Sequence, residues 1–236
     1  MKSSALRAVL LHCAGLLPCA VLFAACAAQP PATPAAAAPA ASVANAAAPA
    51  NADMAQKNAQ TRALADAYAR SLENDKTLAP LWIKTSLIPN EATPAQLARS
   101  DRVSAADKPL LRALSQRALS YRAEMGALLR SHGVDALLLS LWEGGAEAAD
   151  VLRAQLHNGA LTWGEYNTRL REITTAQRMA LAEAGDALHA GDVARARQAQ
   201  GHAQEAYVRA LAEPARVAGR GAVHGCEAIG KAMYCQ

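Results

Sequence analysis

Few side chains in this 236-residue chain stand where they could do chemistry. Six histidines are scattered at positions 12, 132, 157, 189, 202 and 224. His189 and His202 could approach each other across a turn at Gly191, but their unequal offsets from it argue against a shared metal. Cys226 and Cys235 lack the C-x2-C spacing of a zinc site or a redox pair, and His224-Gly225-Cys226 does not match the C-x-x-C-H of haem attachment. There is no G-x-S-x-G, H-E-x-x-H, P-loop or dinucleotide fingerprint. No catalytic residue, cofactor or metal is therefore assigned. One grouping stands out: Trp82, Trp142 and Glu143, the last beside Gly144-Gly145. Two indoles and a carboxylate at a helix break could line a pocket for a small ligand or an enzyme's substrate. The plainer alternative is that the tryptophans are packing residues and Glu143 is exposed.

The elements that would position these residues read as helices. Alanine dominates, aromatics are few and the single Phe lies at position 23; alanine is the strongest helix former and is depleted in strands. A first helix is expected from Asp53 to about Asn74, with a weak apolar face that suits the surface of a bundle. Leu78 to Pro89, rich in β-branched and aromatic residues, is expected as an extended strap. Thr93-Pro94 opens a short helical turn, and Ser104-Ala-Ala-Asp107 starts a longer helix like a capping box. Leu111, Leu114, Ala118, Tyr121, Met125 and Leu128 recur on that helix at spacings of three and four, and Gly133 ends it. Leu138 to Leu156 continues the period, with a kink or split of the helix expected at Gly144-Gly145. Asn158-Gly159 leads into Thr162 and Glu165, whose Thr-x-x-Glu spacing is that of a capping box. Behind it, Trp163–Ala190 and Val193–Glu213 should pair as an antiparallel hairpin about Gly191-Asp192, brought close by alanine-rich faces. The fold class expected is all-α: an antiparallel helical bundle with a disulfide-closed C-terminal tail.

The ends of the chain speak to compartment. Lys2 and Arg7 precede an apolar run from Ala8 to Ala25, the layout of a secretory signal peptide. Leu22-Phe23-Ala24-Ala25-Cys26 resembles a bacterial lipobox, with Phe23 where Leu is usual, and the resemblance implies lipid on Cys26. Ala27, rather than aspartate, follows the cysteine, which in such lipoproteins implies the outer membrane. Ordinary cleavage near Ala25 to Ala28, giving a soluble periplasmic protein, is the alternative. Residues 26–52 are nearly all Ala and Pro, a disordered, polyproline-like tether able to reach roughly 80 Å at ~3.1 Å per residue. The division expected is signal peptide 1–25, linker 26–52 and helical domain 53–236. With Cys13 and Cys19 removed and Cys26 lipidated, Cys226 and Cys235 remain as a pair in an oxidising compartment, where a disulfide is the default.

Two passages carry a family resemblance. GALTWGEYNTRLREI (Gly159 to Ile173) resembles a motif of small exported proteobacterial proteins with helical domains, and ATPAQLARSDRVSAADKPLLRAL (Ala92 to Leu114) is similar to the helical region that precedes it. Relatives often carry a cysteine near the position of Tyr121 or Met125, and this chain has none. The resemblance implies architecture and carries over no catalytic residue.

Charge excludes one class of partner. The net charge of +4 falls to +2 once Lys2 and Arg7 leave with the signal peptide, a balance that gives no reason to expect nucleic acid. Arg195, Arg197 and Arg209 make the C-terminal hairpin locally basic and are a candidate face for peptidoglycan or lipid head groups. The function expected is a membrane-tethered, non-enzymatic periplasmic scaffold or adaptor for an envelope protein or the cell wall. A small-ligand binder or enzyme with its pocket near Trp82, Trp142 and Glu143 is the alternative, and a chaperone-like binder of unfolded clients is a third. A Cys26→Ala variant should lose radiolabelled palmitate and membrane association; equal labelling of the variant would refute the lipobox reading.

Overall fold

The computed structural model describes residues 44–212 and 225–235. The signal segment, Cys26, most of the linker and the stretch holding Pro214, Gly219, Gly221 and His224 lie outside the described residues. Helix α1 spans Ala44–Glu73 and α2 is a single turn, Ala79–Trp82. A 3-10 turn (Pro89–Glu91) and the short α3 (Pro94–Leu97) follow. The bundle proper is α4 (Asp107–Ser131), α5 (Ala136–His157), α6 (Trp163–His189) and α7 (Val193–Leu211). Strands β1 (Cys226–Ile229) and β2 (Ala232–Cys235) close the chain.

The all-α bundle expected from periodicity is what forms. Helix α5 is central, packed on α4, α6, α7 and β2. Alanines 180, 184 and 187 of α6 and 196, 199, 203 and 210 of α7 are buried, so the hairpin of these two helices closes on small side chains. Helices α4, α5 and α6 end alike, and Gly133 shows how. Its φ of 74° turns the chain, while Val134 N–H reaches back to Leu129 O at 3.1 Å. This left-handed closure satisfies carbonyls that the last helical turn leaves free.

Four expectations are corrected. Helix α1 begins at Ala44, inside the stretch read as linker; alanine's helix propensity there outweighs Pro49. Leu78 to Pro89 is not extended: it folds as one helical turn and a series of tight bends, because Pro80 at the start of α2 favours a helical entry. Gly144-Gly145 does not break α5, which runs through it. A Cβ on Gly145 would overlap the Gln177 side chain, so this glycine permits close approach of α6 rather than bending α5. The tail is a two-stranded antiparallel hairpin, in which Cys226 and Cys235 are register partners and are disulfide-bonded. That pair is the staple expected from cysteine counting, but the strands were not foreseen.

The strap between α1 and α4 is fixed to the N-terminus of α6. Thr162 caps α6, its hydroxyl accepting from Glu165 N–H while the Glu165 carboxylate accepts from Thr162 N–H at 2.7 Å. The remaining first-turn donors are taken by the strap: Trp163 N–H to Asp101 O and Gly164 N–H to Arg99 O, both 2.9 Å. Helix starts leave such donors unpaired within the helix, and here each has a partner. Gly164 makes this approach possible, since a Cβ there would stand 2.5 Å from both Leu97 O and Arg99 O. These are backbone atoms that cannot swing aside. Gly164→Ala should cost about 1–3 kcal/mol, the range for overpacking a well-packed site, read as a lowered urea midpoint; an unchanged midpoint would mean the strap is not held this way.

Candidate functional site

The strap, α1, α4, α5 and α6 enclose a pocket of about 100 Å³. Its walls are mostly apolar. Trp82, Leu87 and Pro89 come from the strap, Leu114 and Tyr121 from α4, Trp142 and Ala149 from α5, and Tyr166 and Leu170 from α6. Tyr68 of α1 stacks on Tyr121, with ring centroids 4.2 Å apart and planes 10° from parallel. Trp82 and Trp142 thus meet at one cavity, as the pocket reading requires. Glu143 does not join them. It pairs with Arg130 at 3.0 Å on the outside of the bundle and is absent from the lining.

The carboxylate that does reach the pocket is Asp150, one helical turn before Arg153 on α5. Asp150 Oδ1 accepts from Arg153 Nη1 at 2.7 Å, and its Oδ2 accepts from Arg122 Nη1 at 2.8 Å. Burial opposes the charge on Arg153, but the Asp150 carboxylate beside it favours that charge, and its pKa is raised. The guanidinium is therefore charged at any physiological pH. Arg153 Nη1 also donates to Ser115 Oγ, which shares a 2.5 Å hydrogen bond with the Tyr234 hydroxyl. Tyr234 belongs to the disulfide-closed hairpin, so the C-terminal tail buttresses the arginine from behind. Gln177 lines the opposite wall and donates to Trp142 O at 2.7 Å. Burial raises the pKa of Tyr68 and of Tyr234, keeping both phenols neutral.

Sequence reasoning missed Asp150, Arg153 and Arg122. A signal existed in α5, where Asp150 and Arg153 interrupt an otherwise apolar run of Ala, Val and Leu from Ala146 to Leu156 apart from Glu147 and Gln155. Nothing local, however, marks Arg122 as their partner from α4.

The other candidate residues are dispersed. Arg195, Arg197 and Arg209 are all exposed. On a helix of 3.6 residues per turn Arg197 projects about 160° from Arg195, and Arg209 lies about 21 Å along the axis, so the three do not form one patch. His189 and His202 are exposed. Among the described residues, no group of three or more His, Cys, Asp and Glu is placed to hold a metal, and no helix is long and apolar enough to cross a membrane. Compared with protein-family models, curated proteins and solved structures, the chain matches none.

His157 is buried at the junction of α5 and the hairpin, its ring edge-on to Tyr234 at 5.0 Å between centroids. Asn158 Oδ1 lies 3.0 Å from His157 Nδ1 and also accepts from Cys235 N–H, which makes Nδ1 the protonated nitrogen. Nε2 is buried without a partner among the described residues. Burial is the main cause that lowers the His157 pKa, and Lys108 and Arg112 push the same way. The unfolded chain therefore binds this proton before the folded one does. Stability should be full above the ordinary imidazole value of 6.5 and fall as the pH drops from there towards the folded pKa. His132, also lowered by burial, adds to the same slope. Urea midpoints measured between pH 7.5 and pH 5 should decline in the native protein and decline less in His157→Gln; parallel curves would refute a buried neutral imidazole.

Proposed function

We propose that this chain is a membrane-tethered envelope protein whose helical domain binds a small ligand in the pocket beside Arg153. The observation that carries the reading is the convergence of aromatic walls with buried polar groups in one cavity. Binding sites are typically apolar with a few oriented polar groups, and a helical core built for packing alone has no need of a buried arginine. Export and tethering rest on the N-terminal segment and on Cys26, and the outer membrane is the location the lipobox resemblance favours. A soluble periplasmic form would serve the same binding role.

The scaffold reading has less to stand on. The large apolar side chains that are exposed, Ile83, Met179, Val193, Val208 and Met233, come from the strap, α6, the two ends of α7 and the hairpin. Dispersed in this way they offer no single docking patch among the described residues, and isolated exposed apolar residues are ordinary.

At about 100 Å³ the pocket is below the ~300–1,000 Å³ of drug-sized sites, so its ligand is a single ring or a short chain. A panel of such molecules, neutral and charged, should contain members that quench or shift the fluorescence of Trp82 and Trp142. At ten times its Kd such a ligand stabilises the fold by about 1.4 kcal/mol, a measurable rise in melting temperature. Ala149→Phe, which places a ring in the cavity, should abolish both responses. A panel with no member that binds the native chain, or one that binds the filled variant equally, would overturn the proposal.

A further inference from the structure

The pocket carries an unbalanced charge. Its lining holds two arginines, Arg122 and Arg153, and one carboxylate, Asp150. All three side chains are largely buried, at 15%, 10% and 11% exposure. Asp150 is already divided between both arginines, one oxygen to each. Four carboxylates on the neighbouring elements are engaged elsewhere: Asp107 with Lys84, Asp75 with Arg117, Glu147 with Lys231 and Glu227 with Arg112, and none of them lines the pocket. An arginine cannot relieve the excess by losing its proton, and a buried charge without a counter-charge is unfavourable.

A second observation says where the missing anion belongs. Arg153 Nη1 is committed to Asp150 and Ser115, whereas Nε is buried and has no hydrogen-bond partner among the described residues. In the rigid guanidinium fork Nε–H points away from Nη1, so one donor of a nine-tenths buried arginine is unused. A guanidinium N–H left in this state is a donor that a carboxylate oxygen would satisfy with a charge-assisted hydrogen bond.

Resting on the small-ligand reading above, we propose that the pocket takes a small monocarboxylate with an apolar body. The carboxylate meets the unpaired Nε–H of Arg153 and cancels the single excess charge. The hydrocarbon, a ring or a chain of similar size, lies among Trp82, Trp142, Tyr166 and Leu170. A phosphate dianion suits the site less well: it overshoots the charge, and it has no apolar part to match the walls.

The test is calorimetric titration of the mature chain with three carboxylates, benzoate, phenylacetate and hexanoate, each against its neutral amide, with inorganic phosphate as a further arm. At least one carboxylate should bind tenfold or more tightly than its amide and than phosphate. Arg153→Met leaves Arg122 and Asp150 as a balanced pair and should erase the preference while the circular dichroism spectrum is kept. Should that variant fail to fold, Arg122→Met makes the same change in charge from the more exposed side. Asp150→Asn raises the excess to two charges and should widen the preference, a direction that a purely structural role for this carboxylate does not produce. Amides that bind as tightly as the acids would overturn the carboxylate while leaving the pocket reading intact. Phosphate binding as tightly as the best acid would overturn the apolar body. Failure of every acid and amide, alongside an unresponsive fluorescence panel, would overturn both.

Discussion

The side-chain amide of Asn167 is the tie on which the rest of this structure depends. It is buried on α6 and donates to Lys84 O at 2.8 Å and to Gln96 O at 2.9 Å, carbonyls that lie 83 and 71 residues away in the chain. Gln96 passes the connection on, donating to Trp82 O at 3.0 Å. These carbonyls belong to a strap with little regular structure, whose backbone groups must find partners wherever they are buried. One amide with two donors meets two of them at once. With Gly164 admitting the strap to the first turn of α6, the irregular segment is tied to that helix, and Trp82, Leu87 and Pro89 form one wall of the pocket.

A line of polar contacts crosses the core on the other side of that pocket. It runs from Tyr234 of the hairpin through Ser115 to Arg153, then through Asp150 to Arg122. Removing one member would strand the others, since breaking a buried pair costs more than never having built it. The disulfide closes the hairpin that carries Tyr234, so a covalent link at the end of the chain bears on a guanidinium in the middle of the bundle. Asn158 adds to the seat of the hairpin, donating to Met233 O and accepting from Cys235 N–H. Pocket and tail are one assembly.

Two features show how a residue's role can differ from what its neighbours in sequence suggest. Gly144-Gly145 reads as a break, yet α5 runs through it, and Gln177 of α6 occupies the space that a Cβ on Gly145 would need. Glu143 reads as a pocket carboxylate because it adjoins Trp142 and the Gly144-Gly145 pair, yet its carboxylate turns to Arg130 of α4 and takes no part in the lining. Asp150, seven residues and about two turns further on and so on nearly the same face of α5 as Glu143, is the carboxylate that lines the pocket.

What the sequence by itself determined was local. Thr162 with Glu165, Thr93 with Pro94 and the glycines at positions 133 and 191 set where helices begin and end, because caps and left-handed turns are satisfied within a few residues. The apolar period determined which faces are buried, and two cysteines determined their own pairing. Only the tertiary structure decided that Arg122, Asp150 and Arg153 share one buried site, that the tail is a β-hairpin, and that the strap's carbonyls end on Asn167. The physical reason is distance along the chain: a hydrogen bond or charge pair spanning tens of residues leaves no periodic trace, and its energy is realised only once the packed helices bring the partners together.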